Sequence, residues 1–89
     1  MAYSISYTPE FKRDYKKLNK IQREQLKLKG RLFEQSPFHP LLRTHKLSGK
    51  LKEYWSFSID FKHRVIFQII NGQEILLLRV GDHSIYRNK

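Results

Sequence analysis

The chain has 89 residues, no cysteine, and a formal net charge of +10 from 18 Lys and Arg against 8 Asp and Glu. This reads as one small domain, residues 1–89, that has no disulfide or thiolate metal site and buries only about 60–65% of its unfolded surface. The N-terminus has no basic stretch followed by an apolar run, and the longest apolar run, Ile75–Leu78, falls far short of the roughly 20 residues of a spanning helix; the expectation is a soluble, cytoplasmic protein with no membrane contact.

The elements follow from periodicity. Tyr3, Ile5 and Tyr7 alternate with Ser4 and Ser6, the pattern of a half-buried strand. Thr8 and Pro9 then supply an N-cap and a first-turn proline, and Phe11, Tyr15 and Leu18 continue at helical spacing. After a break at Asn19-Lys20, a second helix is predicted over Ile21–Gln35. Ile21, Leu28 and Leu32 form its inner face with Leu26 and Phe33 beside it, and Arg23, Lys27 and Lys29 lie opposite. Ser36-Pro37 ends it and a loop runs to Leu42. The rest reads as sheet: His45–Leu47, a turn at Ser48-Gly49, Tyr54–Ile59, a turn over Asp60–Lys62, Arg64–Ile70 and Glu74–Gly81. Asn71-Gly72 predicts a type I′ hairpin, whose two central positions need positive φ. The fold class is α+β, an N-terminal strand and a helical hairpin packed on one face of an antiparallel sheet.

The charge is spread through the chain. Residues 1–35 and residues 36–89 each hold nine basic and four acidic side chains. A cationic body of this kind favours a polyanion, nucleic acid above all, and also suits an acidic protein partner. The four histidines, His39, His45, His63 and His83, show no metal-ligand spacing, and there is no Gly-rich phosphate loop, so no cofactor is expected. What remains is acid–base chemistry on a phosphodiester, which needs a base for the 2′-OH, a cation for the phosphoryl oxygens and an acid for the leaving 5′-oxygen. His83 can serve as acid or base, and Arg64 and Arg79 carry the planar fork that holds phosphate. Each also has a plainer reading: Arg64 as a solvated strand opener, His83 as a loop cap. Lys46, Lys50 and Lys52 either contact phosphates or guard a sheet edge. Trp55 reads as core, and Tyr54, on the opposite face, as a base-stacking candidate.

Four segments, His45-Lys-Leu-Ser-Gly49, Tyr54-Trp-Ser-Phe-Ser-Ile59, His63-Arg-Val-Ile-Phe67 and Leu78-Arg-Val-Gly-Asp-His83-Ser-Ile-Tyr86, together with the N-terminal Tyr-Thr-Pro-Glu-Phe-Lys stretch, resemble the RelE/ParE superfamily of bacterial toxin–antitoxin toxins. They look closest to the YafQ-like and YoeB-like messenger-RNA interferases. The resemblance implies a microbial-RNase-type fold, cleavage of mRNA in the ribosomal A site, and a cognate antitoxin as partner beside ribosome and mRNA. By position, it implies that Arg64 and Arg79 hold phosphate, that His83 is the general acid, that Tyr86 is the C-terminal aromatic of the site, and that His45 stands where relatives place a base. Where YafQ-like relatives add a mid-sheet histidine and an aspartate, this chain has Ser58 and Lys62. The alternative is a ParE-like toxin that inhibits DNA gyrase without cutting RNA; the shared fold does not separate the two.

Overall fold

The computed structural model describes residues 3–86. Strand β1 (Ser4–Tyr7) leads into helices α1 (Pro9–Lys17) and α2 (Lys20–Gln35), and then into β2 (His45–Lys46), β3 (Trp55–Ser58), β4 (Arg64–Ile69) and β5 (Glu74–Gly81). Single 3₁₀ turns cover Pro40–Leu42, Gly49–Leu51 and His83–Tyr86. The sheet order is β1-β5-β4-β3-β2. Three of the pairings are antiparallel, but β1 joins β5 in parallel, because the helical hairpin carries the chain away from β1 before the meander begins.

Capping fixes both helices. The Thr8 hydroxyl accepts from the Phe11 N–H at 3.0 Å and donates to the Leu78 carbonyl at 2.8 Å, so one side chain starts α1 and pins it to β5. Asn19 and Gln22 form a reciprocal capping box at the start of α2. The core lies between the helices and one face of the sheet, around Phe33, which stacks on Phe57 at 4.4 Å and meets Phe67 edge-on at 4.8 Å. Burying such a ring contributes about 1.5–3 kcal/mol.

The predicted inner face of α2 is rotated from the observed one. Leu26 and Phe33, seven residues apart, are buried, whereas Ile21 and Leu28 are 69% and 57% exposed. Two of the cations expected on the solvent side also have partners. Arg23 donates to the carbonyls of Tyr15 and Lys16, stacks over the Tyr15 ring, and so caps the end of α1; Lys29 donates to the Ile59 carbonyl at 3.3 Å. The 71–72 hairpin forms, but not as a type I′ turn, since neither residue has positive φ. Instead the Asn71 side chain accepts from the N–H groups of Gln73 and Glu74, which closes the loop by a side-chain route.

Asp14 joins α1 to the end of β5. It sits between Phe11 and Leu18 on the inner face of the helix and is 7% exposed. Its carboxylate accepts from Arg79 Nε at 2.6 Å, from Arg79 Nη2 at 3.2 Å and from the Val80 N–H at 3.0 Å. Removing it leaves a half-buried guanidinium and a buried amide without a partner. Asp14→Ala should therefore cost about 2–4 kcal/mol of stability, measured by urea unfolding. A loss below about 0.5 kcal/mol, the scale of an exposed ion pair, would show that solvent replaces these bonds freely.

Candidate functional site

The sheet face away from the helices carries the candidate site at one end. Along β4 the side chains of Val65 and Phe67 enter the core, which turns Arg64 and Ile66 to the other face. The register sets Arg64 opposite Ser58 on β3 and Gly81 on β5, and His45 opposite Ser56. Two residues beyond Gly81 the chain winds into the 3₁₀ turn His83–Tyr86. These segments enclose an open cleft of about 410 Å³ lined by His45, Leu47, Ser48, Leu51, Arg64, His83 and Tyr86. Four side chains singled out in the sequence, from three separate segments, thus share one cleft.

Gly81 allows this turn. A Cβ there would meet the Ile85 side chain at 2.8 Å, so a larger residue would lift the turn that carries His83 and Tyr86. The His83 ring stands edge-on to Tyr86 at 5.3 Å. On the other side, His45 Nδ1 lies 3.1 Å from the Arg43 carbonyl. A carbonyl can only accept, so the neutral ring carries its proton on Nδ1 and leaves Nε2 as the basic nitrogen.

Arg64 is oriented by the turn before it. Its Nη1 donates to the carbonyls of Asp60 at 3.0 Å, His63 at 3.1 Å and Phe61 at 3.3 Å. Among the described residues Nε and Nη2 have no protein acceptor, so the rest of the fork is available to a ligand. The turn is itself held by Asp60, whose Oδ1 accepts from the Lys62 N–H at 2.8 Å, the His63 N–H at 2.7 Å and His63 Nδ1 at 3.0 Å. Burial acts to raise the Asp60 pKa, but the bonds from the His63 side chain and from the two backbone N–H groups outweigh it and hold the carboxyl below its ordinary value. Sequence reading passed over this support. Its signal was an aspartate two and three residues before the N–H groups it caps.

The remaining sequence candidates lie elsewhere. The Arg79 fork is engaged by Asp14, whose hydrogen bonds raise the guanidinium pKa further, and Arg79 is not among the residues lining the cleft. Part of its fork is thus taken up by a carboxylate of the fold, and the side chain lines two neighbouring hollows rather than the cleft. Lys46 projects from β2 on the side of Trp55 and lies over that ring at 5.6 Å, away from His45. Trp55 is half-buried and meets Phe38 edge-on at 5.2 Å. Lys50 and Lys52 are exposed on and just after the turn whose Leu51 walls the cleft. Tyr54 is half-buried in a neighbouring hollow with Ile66, Leu78 and Ile85. Of the two departures noted in sequence, Ser58 is buried across from Arg64 and Lys62 is exposed in the turn. Among the described residues no three His, Asp or Glu side chains gather as a metal site, and no helix is long and apolar enough to cross a membrane.

The family described as "bacterial toxin of type II toxin-antitoxin system, YafQ" matches residues 3–87. No curated protein matches the sequence. Among solved structures, YafQ from Escherichia coli strain BL21(DE3) superposes with a TM-score of 0.78 at 19% identity, covering 94% of this chain and 97% of that one. A YoeB/ParE toxin from Agrobacterium tumefaciens gives 0.75 at 23% identity over 90% and 98%. The E. coli DinJ-YafQ toxin–antitoxin complex gives 0.76 at 19% identity over 96% and 97%. At these identities the structural likeness establishes the fold.

The Asp60 turn predicts a pH dependence of definite sign. A carboxyl whose folded pKa is depressed stabilises in full above its unfolded value of about 3.9, and that contribution is lost as pH falls from there through the folded value. Urea midpoints of the wild type and Asp60→Asn should therefore differ above about pH 5 and converge as pH falls below about 4. A difference that stays constant into acid would show that the Asp60 charge does not hold the turn.

Proposed function

Because this chain belongs to the YafQ family of bacterial type II toxin–antitoxin toxins, we propose that it is a messenger-RNA endonuclease that acts in the ribosomal A site by metal-independent acid–base chemistry. The observation that carries the proposal is the convergence of His45, Arg64, His83 and Tyr86 on one cleft. In this reading His45 Nε2 takes the proton of the 2′-OH. The 2′-oxygen attacks the adjacent phosphorus and the P–O5′ bond breaks. His83 protonates the departing 5′-oxygen, leaving a 2′,3′-cyclic phosphate and a 5′-hydroxyl. The free arms of Arg64 hold the non-bridging oxygens, where charge builds up in the transition state. Tyr86 braces His83 through its edge-on contact.

An open cleft with few groups aligns a flexible RNA poorly. The ribosome supplies that alignment by presenting one codon in a fixed conformation, and such positioning can supply several kcal/mol of a barrier. The cationic body, with the exposed Lys50 and Lys52 beside the cleft, suits docking on ribosomal RNA.

The partner in this proposal is a cognate antitoxin, as in the DinJ-YafQ complex. A groove of about 790 Å³ between the helices and β1 is lined by the apolar Phe11 and Leu26, by Tyr7, and by Lys12, Lys16, Lys27 and Arg31 against one carboxylate, Glu34. That combination fits an amphipathic segment with acidic flanks which orders as it binds.

Two tests follow from these assignments. His83→Ala should abolish toxicity and lower single-turnover cleavage on programmed ribosomes by about 10²–10⁴-fold. Arg64→Ala should come close to that, and His45→Ala should weaken activity. Arg64→Lys should restore only part of it, because an ammonium lacks the guanidinium's paired geometry. New mRNA 5′ ends after induction of the chain alone report the activity in cells, and antitoxin binding reports folding. Wild-type cleavage by a folded His83→Ala protein would remove the catalytic assignment and favour gyrase inhibition. Separately, Lys12→Glu with Lys27→Glu should slow antitoxin association by about tenfold at low salt and flatten its salt dependence. Unchanged association would place the antitoxin on another surface.

A further inference from the structure

Phe61 presents its ring to water from a well-tied turn. It is 95% exposed, the most exposed of the large hydrophobic side chains described. Its turn is nevertheless one of the best-tied loops in the molecule. Asp60 accepts from the N–H groups of Lys62 and His63, the Ile59 N–H donates to the His63 carbonyl at 3.0 Å, and the Phe61 carbonyl accepts from Arg64 Nη1. A ring presented to water on a rigid support gains nothing from burial and has lost the freedom a loose loop would give it. Such a ring is suited to contact a ligand.

The ring borders a second hollow of about 400 Å³, lined by Phe61, Lys62, Arg64, Asp82, His83 and Ser84. Arg64 and His83 line both this hollow and the cleft, so the two spaces adjoin at the pair of residues assigned to phosphate and proton transfer. The hollow differs from the cleft in carrying a carboxylate, Asp82, whose Oδ1 accepts from the Ser84 N–H at 3.0 Å. A carboxylate repels a phosphate and accepts hydrogen bonds from the N–H groups on a base edge. An aromatic face beside a carboxylate, next to a phosphate-holding arginine, therefore suits the base of a nucleotide whose phosphate lies at Arg64.

We propose that Phe61 is a stacking platform for an unpaired nucleobase of the substrate, adjoining the scissile phosphate, with Asp82 facing the edge of that base. The proposal rests on the endonuclease reading of the cleft and adds to it a base-binding subsite on the β3–β4 turn.

The experiment uses the full chain on ribosomes programmed with an mRNA that carries 2-aminopurine at positions in and beside the A-site codon. Wild type, Phe61→Ala, Phe61→Leu and Phe61→Trp are compared for single-turnover cleavage against toxin concentration. Fluorescence of the probe base is read in a His83→Ala background, where binding proceeds without cutting. Stacking predicts that Phe61→Ala and Phe61→Leu raise the half-saturating concentration by about 5- to 150-fold, an effect larger than that on the maximal rate. Phe61→Trp should bind as well as wild type, and the fluorescence should be quenched with Phe or Trp at this position but not with Ala or Leu. Thermal midpoints should stay together, because the ring touches little of the fold. Wild-type cleavage with an unaffected Phe61→Ala variant overturns the subsite and leaves the endonuclease standing. Rescue by Phe61→Leu overturns stacking in favour of a plain apolar contact. If Phe61→Ala weakens antitoxin binding and leaves ribosomal cleavage untouched, the ring belongs to a protein interface and the proposal fails. Absence of cleavage by the wild type removes the endonuclease reading and the subsite together.

Discussion

Asp14 stands in for a missing length of strand. β1 stops pairing with β5 at Tyr7, opposite Leu77. Thr8 then takes over, its N–H bonding to the Leu77 carbonyl and its hydroxyl to that of Leu78. Beyond that point the edge of β5 would be open, and the carboxylate of Asp14 closes it by accepting from the Val80 N–H and the Arg79 fork. An ion taken this far from water is tolerable only when its oxygens are fully used, which three donors achieve here. The end of β5 is thereby fixed against α1. Gly81, the 3₁₀ turn and the two aromatic side chains of the cleft all hang from that end.

The cleft has a second anchor of the same kind across the sheet. Asp60 organises the β3–β4 turn, and the turn's carbonyls aim Arg64. Histidine and arginine arrive at the cleft on opposite sides of the β4–β5 register, which sets Arg64 against Gly81. Two buried or half-buried carboxylates in a chain with only eight acidic residues thus serve to position cations and turns. The other charges leave the surface strongly basic, which favours polyanionic partners.

Most elements were legible in the sequence because they rest on local physics. Alternation marks β3 and β4, and Thr8-Pro9 and Asn19 mark helix starts, so the strands and helices begin and end within about a residue of expectation. The face of α2 was not legible. Its apolar residues are distributed round the helix, and the aromatic cluster of Phe57 and Phe67, contributed from far along the chain, selects Phe33 and Leu26 over Ile21 and Leu28. The hairpin at Asn71-Gly72 was found, but its turn type was not, because an asparagine can close a loop with its side chain as well as with a left-handed backbone. For the site, the grouping of His45, Arg64, His83 and Tyr86 came from ordered motifs, and the register brings them to one cleft. The Arg79 ion pair carried no sequence signal for a long-range reason: its partner lies 65 positions earlier, on a helix. Phe61 carried no sequence signal beyond being a large apolar residue in a polar turn, and only its exposure distinguishes it.

The central claim, that the cleft cuts RNA with the substrate's own 2′-oxygen, is tested most directly by one substitution in the substrate. Ribosomes are programmed with an mRNA carrying a single 2′-deoxy residue at the scissile nucleotide, EDTA is added after the complexes are formed and shown to be intact, and the 3′ ends of the products are identified. The account predicts that the all-ribose message yields a 2′,3′-cyclic phosphate and that the 2′-deoxy message is not cut at that position. Cleavage of the 2′-deoxy message at the wild-type rate, or a 3′-hydroxyl product from the ribose one, would contradict it.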